Sequence, residues 1–95
     1  MKKAAESGAV RVLVVDDSEG QRRYSRVVLQ TSNLEVSEAA DGQAALDMLA
    51  AEPFEIMLLD LKMPVMDGVE VLRRLGTAPL AGPPPLIIVC SSEAG

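Results

Sequence analysis

The chain alternates between short apolar segments and longer segments in which apolar residues recur at helical spacing. The apolar segments are residues 10–15, 34–38, 54–59 and 86–90. The first is nearly continuous and rich in β-branched residues, which predicts a strand covered on both faces, whereas residues 34–38 alternate and predict an edge strand. Strands that alternate with helices form right-handed βαβ units. We therefore predict a single α/β domain built on a doubly wound parallel sheet.

The first predicted helix follows the first apolar segment and runs from Ser18 to about residue 31. Ser18 and Gln21 have the spacing of a capping box, which marks a helix start. Its apolar residues, at helical spacing, predict the face that packs inward, while its three arginines are expected to point away. The apolar residues are Tyr24, Val27 and Val28, and the arginines are Arg22, Arg23 and Arg26.

Two further helices are marked by their end signals. Asp41 can cap a helix that continues to about Ala51, and Pro53 stops it because proline cannot continue a helix. Asp67 is interpreted as a turn or cap residue before a short helix over residues 69–75, which Gly76 ends. The methionines of these regions are interpreted as packing residues.

Acidic and hydroxyl side chains follow the predicted strands at their carboxyl ends. Asp16 and Asp17 follow the first strand, Asp60 the third, and Ser91 and Ser92 the fourth. Ligands of open parallel sheets bind beyond these ends, at the point where the winding direction reverses. If the first and third strands are neighbours, three carboxylates converge there, and their repulsion requires neutralisation. Oxygen ligands without histidine or cysteine favour Mg²⁺, with Mn²⁺ as the alternative.

Composition excludes several other kinds of site. The chain has no histidine and one cysteine, Cys90, so it has neither a histidine-assisted nucleophile nor a cysteine-cluster zinc site. Its net charge of −5 disfavours nucleic acid as a partner. No apolar stretch approaches the roughly 20 residues of a membrane helix, so we expect no membrane insertion and a cytoplasmic location. Cys90 ends an apolar segment and is expected to be an inert buried thiol.

Carboxylates are therefore the groups left to perform any chemistry. A carboxylate can attack phosphorus and form an aspartyl phosphate. Such a transfer needs an in-line nucleophile, a metal against the equatorial oxygens and donors for the developing charge. Asp60, a divalent cation and the hydroxyl of Ser91 supply these parts.

Three strings in order along the chain carry a family resemblance: Val-Val-Asp-Asp at 14–17, Leu-Leu-Asp-Leu-Lys-Met-Pro-Val-Met-Asp-Gly at 58–68, and Ile-Val-Cys-Ser-Ser at 88–92. The chain resembles the receiver domain of two-component response regulators from about Val10 to its end. The resemblance implies a flavodoxin-like receiver fold, with residues 1–9 as a flexible segment and 10–95 as an incomplete receiver-like domain.

The resemblance also implies roles for individual residues. Asp60 would accept the phosphoryl group and, with Asp17, ligate Mg²⁺ directly. Asp16 would hold a metal-bound water, and Lys62 would offer its backbone carbonyl to the metal. Ser91 would be the switch hydroxyl that moves toward the phosphoryl group. The donor would be a phosphohistidine on a sensor histidine kinase or a phosphotransfer protein.

The chain departs from the family pattern at its end. Receiver domains continue with a helix, a strand and a further helix, whereas four residues follow Ser91 here. The lysine of that strand has no match, since the lysines are Lys2, Lys3 and Lys62. Residues 86–89 would then form an exposed apolar edge. Three explanations are open: a truncated chain, a natural short form, or a partner or second copy that covers this edge. We favour truncation or a covering partner, and we expect the isolated chain not to be a well-behaved monomer.

Three functions are compared. The first is a phosphorylation switch, which promotes its own phosphorylation and dephosphorylation but is not a metabolic enzyme. The second is a receiver-like docking module that is not phosphorylated; the missing lysine favours it and the three aspartates oppose it. The third is a phosphatase of the haloacid dehalogenase type, which needs Asp-x-Asp after the first strand, whereas this chain has Asp16-Asp17-Ser18.

Overall fold

Four parallel strands form one sheet in the order β2-β1-β3-β4. The computed structural model describes residues 8–30, 33–63 and 66–90. The strands are β1 Val10–Val15, β2 Leu34–Ala39, β3 Ile56–Asp60 and β4 Leu86–Cys90. The chain adds β2 on one side of β1 and then β3 on the other, so the winding direction reverses between β1 and β3. The predicted doubly wound parallel sheet is confirmed, with β2 at an edge as predicted.

Three helices connect the strands: α1 Glu19–Leu29, α2 Gly42–Ala51 and α3 Gly68–Leu75. Each begins at a predicted capping residue whose side-chain oxygen accepts a hydrogen bond from the backbone N–H three residues on. The distances are 3.2 Å at Ser18, 2.7 Å at Asp41 and 2.9 Å at Asp67. Such a cap contributes about 1 kcal/mol to helix stability. Gly76 follows the last residue of α3, as predicted.

The larger hydrophobic core lies between the sheet and the helices α2 and α3. Leu13, Met57 and Leu59 of the strands, Ala45 of α2 and Val71 of α3 have no exposed surface in this core. A smaller cluster on the opposite face of the sheet contains Val12, Val14 and Val36, with Leu29 of α1 packed against it. Apart from Phe54, the described core is aliphatic and methionine-rich, because the chain has few aromatic residues.

The orientation of α1 differs from the prediction, except that Arg23 points to solvent as predicted, with 74% of its side chain exposed. Tyr24, Val27 and Val28 are 66%, 69% and 57% exposed, so the predicted inward face points to solvent. Arg22, by contrast, has a side chain only 15% exposed. Glu38 of β2 lies under the helix and accepts hydrogen bonds from Arg22 and from another α1 arginine. The prediction was wrong for Arg22, because this residue forms an ion pair with a partly buried carboxylate on the sheet.

Strand β4 forms the exposed edge of the sheet. Leu86 and Ile88 are 63% and 44% exposed, which confirms the predicted apolar edge among the described residues. Cys90 is exposed, so the prediction of a buried thiol was wrong. Alternation along the strand places Cys90 on the same face as Leu86 and Ile88. None of the helices in the described part of the chain packs over that face of β4, as the exposure of these residues shows.

The described residues test the predicted end of α1 and the membrane prediction, but not the predicted N-terminal segment. Strand β1 begins at Val10, but residues 1–7 lie outside the described residues, so the flexible segment 1–9 stays a prediction. Helix α1 ends at Leu29, two residues before its predicted end, which also lies outside them. Within the described ranges, each helix is too short or too polar to cross a lipid bilayer.

Candidate functional site: three carboxylates at the switch point

Three carboxylates converge where β1 and β3 end. Val15 pairs with Leu59 in the parallel register, so Asp16 and Asp60 leave the sheet side by side. Asp16, Asp17 and Asp60 each offer one carboxylate oxygen, and these three atoms lie within 4.8 Å of one another. The sequence analysis predicted that these three carboxylates converge if β1 and β3 are neighbours, and the structure places them together.

Asp60 is the buried member of the cluster, with 3% of its surface exposed. Its Oδ1 accepts a hydrogen bond from the backbone N–H of Lys62 at 3.0 Å. Its Oδ2 is buried and has no hydrogen-bond partner among the described residues. A buried carboxylate oxygen without a partner is costly, and such an atom in a native fold indicates an ion or another group that contacts it.

Asp16 is held by three hydrogen bonds that fix both its backbone and its side chain. Its N–H donates to the carbonyl of Ala39 on β2 at 3.1 Å. Its carbonyl oxygen accepts from the Arg22 guanidinium at 2.8 Å. Its Oδ1 accepts from the N–H of Ser18 at 2.9 Å. The first acidic residue of the cluster therefore has a fixed position at the end of β1.

The electrostatics of the cluster appear in the pKa of Asp16. Burial raises this pKa above its ordinary value, and the negative charges of Asp60 and Asp17 raise it further. The Ser18 N–H and the Arg22 charge act in the opposite direction, and the net direction is upward. Repulsion between the three carboxylates is thus one of the causes of the raised pKa of Asp16, and a bound cation would relieve this repulsion.

The loop behind Asp60 requires glycine at position 68. A Cβ on Gly68 would lie 2.6 Å from the carbonyl oxygen of Asp60 and 2.7 Å from the Cα of Leu61. The Gly68 N–H donates to the Leu61 carbonyl at 3.1 Å, which closes the loop. The sequence analysis interpreted Gly68 only as part of a loop before a helix. The Asp67-Gly68 pair was the sequence signal that could have indicated a tight turn here. Only glycine, which has no Cβ, allows the backbone at position 68 to pack this closely against the backbone of Asp60.

The remaining predicted site residues are placed less fully. Lys62 is exposed and follows Asp60 by two residues, and the role of its backbone carbonyl stays a prediction. Ser91 and Ser92 lie outside the described residues, so the switch hydroxyl also stays a prediction. Cys90, the residue before them, is paired in register with Asp60, which places the end of β4 next to the cluster.

The residues present fit a hard divalent cation. The cluster offers only oxygen atoms, which suits Mg²⁺ or Mn²⁺ and disfavours softer metals. Each of the three side chains supplies one such oxygen. Asp16, Asp17 and Asp60 are thus the side chains that would hold such an ion.

Comparison with known proteins gives consistent results. The family model of the response regulator receiver domain matches residues 12–95. The response regulator PleD from Caulobacter vibrioides is 41% identical over 85 residues, which cover 90% of this chain and 19% of PleD. The chain therefore spans about a fifth of the length of that relative.

Solved structures show the same fold. The chemotaxis protein CheY4 from Vibrio cholerae superposes with a TM-score of 0.74 at 32% identity, over 92% of this chain and 72% of that one. The response regulator TrrA from Thermotoga maritima, crystallised in complex with Mg²⁺ and BeF, gives a TM-score of 0.74 at 28% identity, over 90% of this chain and 71% of TrrA.

Proposed function

The chain belongs to the response regulator receiver domain family, and on that basis we propose that it is a phosphorylation switch in which Asp60 accepts the phosphoryl group. Receiver domains are regulatory phosphoacceptor domains of two-component signalling systems, not metabolic enzymes. The observation that carries the proposal is the unpartnered, buried Oδ2 of Asp60 within a cluster of three carboxylates.

The three aspartates differ in ways that single out Asp60 as the nucleophile. Asp17 is exposed, and the Oδ1 of Asp16 is engaged by the Ser18 N–H. Asp60 is buried, and the Lys62 N–H fixes the orientation of its carboxylate. A fixed carboxylate with one unengaged oxygen satisfies the requirement for a positioned nucleophile. Attack by that oxygen on phosphorus forms the O–P bond as the N–P bond of a phosphohistidine breaks.

Asp16, Asp17 and Asp60 would hold Mg²⁺, with Mn²⁺ as the alternative, and the Lys62 carbonyl would complete the protein ligands. When bound, the cation would offset the charge that develops on the phosphoryl oxygens. The Mg²⁺ in the TrrA structure supports this assignment by similarity. The proposal also gives Ser91 the role of the hydroxyl that approaches the phosphoryl group.

The donor lies outside the 95 residues of this chain, because they contain no histidine. We assign this role to a sensor histidine kinase or a phosphotransfer protein, and we place the reaction in the cytoplasm. The exposed apolar edge of β4 is compatible with a partner or a second copy that covers it.

A phosphodonor experiment tests the proposal. The chain is incubated with Mg²⁺ and acetyl phosphate, and its intact mass is measured beside those of Asp60→Asn and Asp47→Asn. Asp47 is a matched control, because it lies on α2 and its described hydrogen bond is to Gln43. We expect one phosphoryl group on the wild type and on Asp47→Asn, none on Asp60→Asn, and none when the metal is chelated.

The other outcomes distinguish the competing functions. A chain that binds Mg²⁺ but gains no phosphoryl group would be a docking module. Continuous release of phosphate from many monoesters would indicate a phosphatase.

A further inference from the structure

Arg22 is a largely buried cation beside the carboxylate cluster. It lies near the start of α1, and its side chain is 15% exposed. Its Nε donates to Oε1 of Glu38 at 3.2 Å, and its Nη1 donates to the carbonyl oxygen of Asp16 at 2.8 Å. One guanidinium therefore joins α1, strand β2 and the end of β1. A planar group with several fixed donors is suited to such a bridge, because its two bonds constrain each other.

The hydrogen bond from Arg22 to the Asp16 carbonyl also restricts the backbone at Asp17. The peptide unit is planar, so the direction of that carbonyl sets the plane that also contains the Cα of Asp17. The N–H on the other side of Asp16 is already fixed by the carbonyl of Ala39. With both flanking peptide groups held, the two acidic side chains leave the backbone from fixed positions.

The charge of Arg22 also acts on the cluster without occupying it. Its described hydrogen bonds go to a backbone carbonyl and to Glu38, and not to the carboxylates of the cluster. Its positive charge lies beside the cluster, because the guanidinium contacts the backbone of Asp16. The carboxylate oxygens therefore remain available to a divalent cation while part of their mutual repulsion is offset.

We propose that Arg22, oriented by Glu38, is a positioning residue that holds the Asp16–Asp17 peptide in the geometry that binds the divalent cation. The proposal rests on the proposed function, since it concerns the same cation site. It adds a second group of residues, outside the three carboxylates, on which cation affinity depends, as is common for residues that orient metal ligands.

Arg26 provides a matched control within the same helix. Its Nε donates to Oε2 of Glu38 at 2.6 Å, so it shares the carboxylate that Arg22 uses. Its described hydrogen bond goes to Glu38 and not to Asp16. Arg22→Met and Arg26→Met each remove one positive charge and one ion pair to Glu38, but only the first removes the bond to the Asp16 carbonyl.

The experiment measures Mn²⁺ affinity of the full chain by electron paramagnetic resonance, at a temperature where thermal denaturation shows each variant folded. We expect Arg22→Met to bind Mn²⁺ about 10-fold more weakly or worse, the effect typical of residues that orient metal ligands. We expect Arg26→Met to bind like the wild type. Arg22→Lys retains the charge but not the planar pair of donors, so it should recover only part of the loss.

Several results would overturn the proposal. Wild-type affinity in Arg22→Met, equal losses in Arg22→Met and Arg26→Met, or full recovery in Arg22→Lys would each do so while leaving the proposed function intact. If Arg22→Met does not fold, Arg22→Lys alone decides by the same measurement. A wild-type chain that binds no Mn²⁺ would overturn both the positioning role and the proposed function.

Discussion

The backbone of Gly68 packs directly against the carbonyl of Asp60, so closely that an added Cβ would lie 2.6 Å from that oxygen. Real Cβ atoms do not approach a carbonyl this closely. The first turn of α3 is thus pressed against the residue proposed to accept the phosphoryl group. A side chain at position 68 can be accommodated only if this loop moves.

We therefore expect Gly68→Ala to lower the free energy of unfolding by about 1–3 kcal/mol, the cost of overpacking a tight contact. Displacement of Asp60 should also reduce the yield of phosphorylated chain with acetyl phosphate. Gly20→Ala is the control, since a Cβ there would lie 3.9 Å from Oγ of Ser18, at ordinary contact distance. It should raise stability by about 0.5–1 kcal/mol, because alanine is the better helix residue. Urea denaturation of both variants measures this, and equal effects would contradict the argument.

Asp60→Asn should stabilise the chain when metal is chelated. The substitution removes one of three neighbouring negative charges and gives the unpartnered buried position a donor in place of an acceptor. We expect a gain of about 1–3 kcal/mol, comparable to the cost of one unsatisfied buried polar group. Added Mg²⁺ should raise the denaturation midpoint of the wild type, by binding to the folded state, and leave that of the variant unchanged. A denaturation midpoint of the wild type that does not change when Mg²⁺ is added would contradict this expectation.

Glu70 should show a strongly depressed pKa. Hydrogen bonds from Arg73 and then Arg74 lower the pKa of Glu70 from 4.5 to about 2. Because the folded-state pKa is below the unfolded one, the stabilisation is present above pH 4.5 and is lost as the pH falls toward 2. Carbon-detected NMR titration should find the low pKa in the wild type and a value near 4.5 in Arg73→Met/Arg74→Met.

Removal of the Glu70 charge should lower stability in a way that depends on pH. Glu70→Gln should be less stable than the wild type at neutral pH, and the difference should shrink as the pH falls from 4.5 toward 2 and as salt is added. Glu19→Gln is the control, because Glu19 and Arg23 are both about three-quarters exposed and such pairs contribute little. A pH-independent difference for Glu70→Gln would show that the ion pairs are not its cause.

The outward face of α1 should tolerate polar substitution. Val27 is 69% exposed, so Val27→Ser is expected to change the free energy of unfolding by no more than about 0.5 kcal/mol. Leu13 has no exposed surface, and Leu13→Ala should cost about 2–5 kcal/mol. Chemical denaturation at low protein concentration gives both values. A large loss in Val27→Ser would show that another surface covers α1 in solution.

Sequence patterns were sufficient for the features that depend on local chemistry. The apolar segments located all four strands, and Ser18, Asp41 and Asp67 were recognised as helix starts or turn residues from residue type alone. The convergence of Asp16, Asp17 and Asp60 followed from their places at strand ends, because parallel strands end at the same edge of a sheet.

The features that sequence reasoning missed depend on contacts between distant residues. The periodicity of α1 separates a polar from an apolar face but does not show which face packs on the sheet. The ion pair that holds Arg22 toward the sheet involves Glu38, sixteen residues later in the chain. The close approach of Gly68 to Asp60 depends on the fold of a loop, and the exposure of Cys90 depends on the edge position of β4. None of these can be read from one segment alone.

Asp60 is the last residue of β3, which lies between strands β1 and β4, and the loop toward α3 begins at the next residue. Cys90 is its partner in the register with β4, and the N–H of Leu61 reaches the Cys90 carbonyl at 3.4 Å. Adjacent strands lie only about 4.8 Å apart. The buried carboxylate therefore lies one strand spacing from the exposed edge of the sheet, and a change of charge there takes place directly beside that edge.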